Sequence, residues 1–266
     1  MPLLTLVLVA LIQGLTEFLP VSSSGHLILL PGLTGLEDQG QVIDVAAHVG
    51  TLVAVVVFFW SDVVRALVGL GDLLRGRATE ERTLALGLIV ATIPVILFGL
   101  VLNLTGLDHA MRSVAVIGWT MLIFGLVLYW ADQTGSEERT ARDWTIADAL
   151  KMGLLQAIAL IPGTSRSGIT ITGARRLGYE RQDAARLSML MSIPTIVASG
   201  TLLGIEVAQS ADTGAMRDGA IVAVLSCGAA LLALTLMMRL LRSVSYTPYV
   251  IYRVILGVVL LGVAYL

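Results

Sequence analysis

The segments TEFLPVSSSGH, residues 16–26, and LIPGTSRSG, residues 160–168, each place a proline, several hydroxyl side chains and a glycine inside an apolar stretch. Proline and glycine interrupt helices, and hydroxyl side chains offer hydrogen bonds to backbone groups that an interruption leaves without partners. Two such breaks therefore predict two places where helices stop and restart inside the protein. The composition of the rest of the chain indicates what surrounds them.

The chain has the composition of a membrane protein. Of its 266 residues, 56% are hydrophobic and only 14% are charged, against about 25% charged in soluble domains. The mean hydropathy is +0.89. The net charge of −2 gives no basic field, so we expect no nucleic-acid partner. The first apolar run has no Lys or Arg ahead of it, so we expect no cleaved secretory signal.

Six apolar segments are close to or above the ~20 residues that a helix needs to cross a bilayer. They are residues 45–61, 83–107, 113–131, 187–205, 219–238 and 243–266. Two further apolar regions, 1–36 and 152–174, contain the breaks and cannot each form one continuous span. Irregular backbone at membrane depth persists only where protein or a wet cavity surrounds it. We therefore predict that both regions are re-entrant helical hairpins.

The two broken regions also resemble each other. Four residues of the first recur in the second, without a gap, after a shift of 143 positions: Gln13 with Gln156, Ser22 with Ser165, Ser24 with Ser167, and Gly25 with Gly168. Three spans follow each hairpin, and this odd number of crossings turns the second copy upside down. The predicted fold is an all-α integral membrane protein with six transmembrane helices and two re-entrant helical hairpins in an inverted-topology repeat. It forms one membrane domain, 1–266, with repeats at 1–131 and 145–266.

Positive charge in the loops orients the predicted spans. Lys and Arg cluster in the loops after the first, third and fifth spans and after the second hairpin, whereas the loops at 106–112 and 206–218 hold one Arg each. Because cytoplasmic loops are enriched in Lys and Arg, we predict that the arginine-rich loops face the cytoplasm and that both termini face outward. The hairpins then enter from opposite sides, their tips meet near the midplane, and the site opens outward.

The two breaks predict a site for phosphate. Hydroxyl and glycine residues at a helix start leave backbone N–H groups directed at whatever lies ahead, and Arg166 can bind phosphate oxygens bidentately. Gln13 and Glu17 are four residues apart and share one face of the first helix. Glu17 would repel a phosphate unless a divalent cation lay between them, and Mg²⁺ or Ca²⁺, which prefer oxygen ligands, would fit that place.

These segments resemble a known family. QGLTEFLPVSSSGHL, residues 13–27, and IPGTSRSGITI, residues 161–171, are similar to the two signature segments of the undecaprenyl-diphosphatase family, also called bacitracin-resistance proteins. The resemblance extends over the whole chain, including 44–59 and 183–200, which are similar to the family's subsequent helices. It implies the fold predicted above, a bacterial inner membrane with a periplasmic opening, dependence on a divalent cation, and a role in bacitracin resistance. The implied reaction removes the terminal phosphate of undecaprenyl diphosphate, which regenerates the lipid carrier for peptidoglycan and other envelope polymers.

The resemblance also implies roles for individual residues. Those implied in catalysis are Glu17, Ser23, His26 and Arg166, with Glu17 also as the metal ligand. The candidates for substrate binding, from the two helix starts and from the matching motifs together, are Gln13, Ser22, Ser24, Gly163, Thr164, Ser165, Ser167, Gly168 and Thr170. The family carries Glu or Gln at the position of Gln13, so Glu17 is the only carboxylate of that pair here.

The residues leave three candidates for the nucleophile. Ser23 activated by His26, direct attack by His26, and attack by a water molecule that Glu17 orients are all compatible with this chemistry. We favour Ser23, with His26 in proton transfer. We expect His48 to support the hairpin by hydrogen bonding, and Arg253 to snorkel or to pair with a buried carboxylate.

A polyprenyl-phosphate flippase or transporter is the alternative function, because inverted repeats whose helix ends meet at the midplane are typical of transporters. The spacing of Glu17, Ser23 and His26 favours an enzyme, since binding alone needs no acid, nucleophile and base so close together. A purely structural protein has no reason to place Arg166 between two hydroxyl residues in an apolar segment. The expected partners are undecaprenyl diphosphate and membrane lipids, with a homodimer as the candidate assembly.

Overall fold

The computed structural model describes residues 1–34, 40–107, 111, 113–210 and 213–266, and describes the side chains of all of these except 31–34 and 202–210. Within these ranges the chain is helical, as predicted. The helices are α1 Leu3–Thr16, α2 Ser23–Thr34, α3 Gly40–Phe58, α4 Trp60–Leu74, α5 Glu80–Thr105, α6 Val114–Thr134, α7 Ile146–Ile158, α8 Arg166–Arg176, α9 Arg181–Ser210, α10 Thr213–Leu240 and α11 Thr247–Tyr265. A short 3₁₀ helix, Ala141–Asp143, precedes α7.

Five helices, α3, α5, α6, α10 and α11, are long and apolar enough to cross a membrane, judged from the described residues. The structure therefore supports an all-helical integral membrane protein. These helices overlap five of the six predicted spans. The remaining predicted span, 187–205, lies within α9, whose side chains are described only as far as residue 201.

Helix α4 occupies a region that the sequence predicts only as an arginine-bearing loop. Its Asp62 is buried and accepts a hydrogen bond of 2.8 Å from the Arg186 Nε of α9. Its Gly69 lets α5 approach so closely that a Cβ there would lie 1.9 Å from the carbonyl oxygen of Glu81. The sequence does not predict this helix, because the contacts that hold it in place come from residues distant in sequence and its charged residues interrupt the apolar pattern.

The two breaks share one backbone conformation. Helix α1 ends before Glu17 and α2 begins after Ser22, while α7 ends at Ile158 and α8 begins after Ser165. Ser22 and Ser165 both have φ of +71°, and no other non-glycine residue of the described chain has positive φ. Each hydroxyl accepts a hydrogen bond from the N–H of the glycine three residues on, at 3.4 Å and 3.1 Å. Such a backbone costs a non-glycine residue on the order of 1–3 kcal/mol, so it persists only where surrounding contacts fix it.

Several helix–helix contacts between the two halves of the chain have a counterpart between the equivalent helices of the opposite halves. Helix α1 packs on α10 as α7 packs on α5, and α3 packs on α10 as α9 packs on α5. The pairs α3 with α9 and α6 with α11 join equivalent helices of the two halves. This pattern, like the shared φ of the two serines, is what an inverted repeat would produce.

Ion pairs bring the arginine-rich segments together at one end of the molecule. The Asp132 carboxylate at the end of α6 accepts from Arg175 of α8 at 3.1 Å, from Arg181 of α9 at 2.8 Å, and from the backbone N–H of Tyr246 at 3.1 Å. Arg65 of α4 lies 3.3 Å from Glu81 of α5. Arg186 of α9 in turn donates to Asp62 of α4. The arginine-rich segments after the first and third predicted spans, after the second hairpin and before α11 are therefore joined to one another.

A buried carboxylate starts α7 at this same end. Arg139, Thr145 and Tyr179 donate hydrogen bonds to Asp148 Oδ2 at 2.6, 2.7 and 2.9 Å. Burial alone would raise the pKa of Asp148, but these donors outweigh burial and hold its pKa below the ordinary value. The first hairpin has no comparable N-terminal cap, since α1 starts after Pro2 without a side-chain hydrogen bond.

Candidate active site

Glu17 is the centre of a polar cluster between the two breaks. It caps the end of α1, and its side chain is 9% exposed. Oε2 accepts hydrogen bonds from Ser23 Oγ at 2.6 Å and from Gln13 Nε2 at 2.9 Å. Oε1 accepts from Arg166 Nη2 at 3.0 Å. One carboxylate thus joins the end of α1, the first residue of α2 and the first residue of α8.

Arg166 has a second anchor in α9. Its Nη1 donates to the carbonyl oxygen of Ser188 at 3.3 Å, and the Ser188 and Thr170 hydroxyls are 2.6 Å apart. Thr170 also donates to the Arg166 carbonyl oxygen at 2.8 Å. Thr170 therefore supports the start of α8 and has no contact with Glu17 among the described side chains. Sequence reasoning missed Ser188, because one serine in an apolar helix is usually bonded to its own backbone.

His26 and Ser23 have different partners, although the sequence suggests that they act together. Ser23 donates to Glu17. His26 Nδ1 lies 2.6 Å from the carbonyl oxygen of Ser22, and its Nε2 lies 2.6 Å from the hydroxyl of Tyr252 on α11. The structure therefore assigns the Ser23 proton a carboxylate acceptor, and it places a tyrosine that no sequence motif indicates beside the histidine.

A second histidine lies near the carboxylate. His48 Nε2 is 4.0 Å from Glu17 Oε2, and its Nδ1 is 2.8 Å from the carbonyl oxygen of Asp44. A carbonyl only accepts hydrogen bonds, so Nδ1 carries a proton and the other ring nitrogen, Nε2, faces the carboxylate. From the sequence we expect only that His48 supports the hairpin by hydrogen bonding. The structure also places it at the edge of the cluster around Glu17.

Of the remaining polar residues of the breaks, Ser167 joins the two tips. Ser167 Oγ donates to the carbonyl oxygen of Leu19 at 2.9 Å and lies 3.1 Å from Ser165 Oγ. Ser24 Oγ is exposed and 3.4 Å from Ser22 Oγ. Thr164 is fully buried, and its hydroxyl has no hydrogen-bond partner among the described residues.

Two glycines permit this close approach. Gly163 has φ of +86°, and a Cβ there would lie 2.2 Å from Thr120 Oγ1. A Cβ on Gly168 would lie 2.7 Å from Arg253 Nη1. Both positions therefore exclude a side chain for steric reasons, apart from any contact with substrate.

Arg253 joins both breaks to α6. Its fully buried guanidinium donates to five backbone carbonyl oxygens. They are those of Pro20 at 3.3 Å, Gly163 at 3.1 Å, Thr164 at 2.8 Å, Thr120 at 3.3 Å and Met121 at 3.2 Å. The expectation of snorkelling or of a carboxylate partner is wrong, because the two breaks offer three carbonyl groups and α6 offers two more as acceptors for the guanidinium.

The oxygen atoms of the cluster fit a hard cation in part. Gln13 is fully buried, and its Oε1 has no hydrogen-bond partner among the described residues, although its Nε2 is bonded to Glu17. An unpartnered amide oxygen beside a carboxylate is a suitable pair of ligands for Mg²⁺ or Ca²⁺. Within the described chain, no three His, Cys, Asp or Glu side chains are grouped to hold a metal ion. Phosphate oxygens and water would have to complete the coordination.

A cavity at the arginine-rich end is a separate feature. It has a volume of about 200 Å³, and Asp62, Arg65, Arg142 and Trp144 are among its lining residues. Arg65 is paired there with the acidic side chains of Asp62 and Glu80, each at 3.7 Å. The candidate active site lies at Glu17, because the converging hydroxyl, carboxylate and guanidinium groups lie there and none of them lines this cavity.

Comparison with known proteins finds relatives along the whole chain, which confirms the resemblance of the signature segments. The family model described as Bacitracin resistance protein BacA matches residues 6–259. Proteins named Undecaprenyl-diphosphatase from Dinoroseobacter shibae and Ruegeria pomeroyi are 70% and 68% identical over 266 residues, the full length of this chain and of each relative. A protein of that name from Saccharophagus degradans is 46% identical over 257 residues, which cover 97% of this chain and 96% of the relative. The chain therefore belongs to the BacA family of bacitracin resistance proteins.

Proposed function

We propose that this protein is an undecaprenyl-diphosphate phosphatase that releases undecaprenyl phosphate and inorganic phosphate. The observation that carries the proposal is the convergence of Ser23 and Arg166, from the two breaks, on one carboxylate, Glu17. A nucleophile, a proton acceptor and a phosphate-binding guanidinium are the groups that phosphoryl transfer needs. The relatives' name supplies the substrate. This activity recycles the lipid carrier for the cell envelope and accounts for bacitracin resistance.

In the first step, Ser23 Oγ attacks the terminal phosphorus. The bond from that phosphorus to the bridging oxygen breaks, and undecaprenyl phosphate leaves. The Ser23 proton passes to Glu17 Oε2, 2.6 Å away. Arg166 and the backbone N–H groups at the start of α8 bind the phosphate oxygens and stabilise the charge on the transferring group. The product is a phosphoserine at position 23.

In the second step, water attacks the phosphoserine. The P–Oγ bond breaks, and Glu17 returns its proton to Ser23 Oγ. One water proton stays on the released phosphate, and the other passes through His26 to solvent, so the enzyme returns to its starting state. His26 therefore keeps the proton-transfer role expected from the sequence, while Glu17 takes the proton of Ser23.

Gln13 and Glu17 are the residues that would hold a divalent cation, Mg²⁺ or Ca²⁺. Such an ion, when bound, offsets phosphate charge that would otherwise be repelled by the carboxylate. The other predicted binding residues, Ser22, Ser24 and 163–168, shape the two helix starts around the phosphates.

We further propose the finer topology: six spans, two re-entrant hairpins, and inverted repeats at 1–131 and 145–266. The equal φ of Ser22 and Ser165 and the packing that persists when the halves are exchanged support it. The arginine-rich end would face the cytoplasm of a bacterial inner membrane. Both termini and the site would face the periplasm, and two chains would associate as a homodimer. A reporter enzyme that works only in the cytoplasm should be inactive when it is fused to either terminus. Activity of either fusion would contradict this orientation.

The test is phosphate release by the purified protein from undecaprenyl diphosphate, with Mg²⁺, with Ca²⁺ and with EDTA. We expect release that needs the cation and is lost in Arg166→Ala. Arg176→Ala is the matched control, because Arg176 ends the same helix, is exposed and stacks on Trp130. No release by folded wild-type protein would overturn the proposal. The flippase alternative finds no support in the comparisons, and lipid transfer without hydrolysis would be needed to restore it.

A further inference from the structure

The contact between His26 and Tyr252 fixes the state of the imidazole. His26 Nδ1 is 2.6 Å from the Ser22 carbonyl oxygen, which can only accept, so Nδ1 carries the proton. In the neutral ring, Nε2 then has a lone pair and accepts from the Tyr252 hydroxyl at 2.6 Å. The two rings are almost parallel, at 7°, with centroids 5.7 Å apart. The nitrogen available for proton transfer is therefore the one that Tyr252 covers.

The two partners of His26 differ in exposure. Ser22 is buried, and its positive φ belongs to the break itself, so its carbonyl oxygen is fixed. Tyr252 is 45% exposed, while its neighbour Arg253 is fully buried and holds α11 in place. The phenol ring can therefore turn away from Nε2 without movement of its helix, and the Nδ1 contact would remain.

The other half of the chain lacks this pair. A shift of 143 positions, which superimposes the two breaks, puts Ile169 in the place of His26. Ile169 is 3% exposed. An apolar side chain is thus sufficient for packing at the second break. Packing alone therefore does not explain why the first break carries a histidine whose two ring nitrogens are both hydrogen-bonded.

We propose that Tyr252 is a positioning residue for His26 in the phosphatase reaction proposed above. Its hydroxyl orients the ring and keeps Nε2 as a hydrogen-bond acceptor until a water molecule or phosphate displaces it. Tyr252 acts through His26 and needs no contact with the reacting phosphate. The inference rests on the proposed function for its kinetic consequence, while the hydrogen bond itself can be tested without substrate.

Two substitutions separate the hydroxyl from the ring. Tyr252→Phe keeps the ring and removes the donor, whereas Tyr252→Leu removes both. We expect Tyr252→Phe to lower kcat roughly 5- to 30-fold, the factor for the loss of one hydrogen bond of about 1–2 kcal/mol, with little change in KM. The kcat of Tyr252→Leu should fall by at least the same factor. Tyr249→Phe is the control on the same helix, since the Tyr249 ring packs against Tyr246, and it should behave as wild type. Wild-type kinetics in Tyr252→Phe with loss only in Tyr252→Leu would overturn the proposal.

Nitrogen NMR gives a readout that is independent of turnover. The chain has three histidines, so ¹⁵N-histidine labelling yields few signals, and His26→Gln assigns those of His26. We expect a protonated Nδ1 and a hydrogen-bonded, unprotonated Nε2 in the wild type. In Tyr252→Phe the Nε2 signal should move toward that of a free unprotonated nitrogen, while the Nδ1 signal stays. An unchanged Nε2 signal would overturn the inference. Wild-type protein that shows these signals but releases no phosphate would overturn the proposed function instead.

Discussion

Substitution of Arg253 tests whether one buried guanidinium holds the two breaks together. It donates hydrogen bonds to Pro20 in the first break, to Gly163 and Thr164 in the second, and to two carbonyl oxygens of α6. Arg253→Lys reduces the donors from five to three, and Arg253→Met removes all of them. Both replacements keep an unbranched side chain, so the comparison changes the number of donors more than the packing.

The expected loss follows from the count of hydrogen bonds. With a net contribution of about 1 kcal/mol for each, Arg253→Lys lowers the free energy of unfolding by about 2 kcal/mol and Arg253→Met by about 5 kcal/mol. In a chain of this size about 1 kcal/mol corresponds to ~2–4 °C in Tm, so the expected decreases are about 4–8 °C and about 10–20 °C. Turnover should fall in the same order, because both tips loosen.

Thermal unfolding in detergent, followed by far-UV circular dichroism, measures these decreases. Arg239→Met is the matched control, because Arg239 lies exposed in the last turn of α10, and its Tm should not change. An Arg253→Met protein with the Tm and the turnover of the wild type would refute the claim that this guanidinium holds the tips.

Two further predictions concern the fold. Gly163→Ala should lower Tm and turnover, because φ is +86° and a Cβ would meet Thr120 Oγ1 at 2.2 Å. Gly262→Ala is the control, because a Cβ there meets nothing within 4 Å. Equal Tm values for the two variants would contradict the steric argument. The lowered pKa of Asp148 stabilises the fold above the unfolded-state pKa of about 3.9 and loses that effect as pH falls through the folded value. The Tm deficit of Asp148→Asn should therefore be constant from about pH 5 to 8 and shrink below about pH 4; a deficit that grows with acid would contradict the assignment.

The sequence indicates those site residues whose side chains are unusual in an apolar segment. Glu17, Arg166 and the hydroxyl clusters are costly at membrane depth, so their presence in apolar segments indicated both the breaks and the phosphate chemistry. The helical class and five of the predicted spans followed from the lengths of uncharged segments. These features depend on residue type and local spacing, which a sequence displays directly.

Partners distant in sequence were beyond this reasoning. A single arginine such as Arg253 indicates a buried contact, but nothing in its surroundings shows that five carbonyl oxygens from three segments surround it. Tyr252 is a single aromatic residue in an apolar span, and no motif in the sequence indicates its hydrogen bond to His26. The acceptor for Ser23 was assigned to His26 because of proximity in sequence, whereas the fold brings the end of α1 closer.

The most direct test of the account is a search for phosphate on Ser23 during turnover. Purified protein is mixed with undecaprenyl diphosphate labelled with radioactive phosphorus in its terminal phosphate, quenched in acid within a single turnover, and digested for mass spectrometry. We expect transient label on Ser23, no label in Ser23→Ala, and persistent label in a His26→Ala protein that cannot complete hydrolysis. Full release of labelled phosphate with no label on Ser23 at any time would contradict serine attack and assign the nucleophile to water or to histidine.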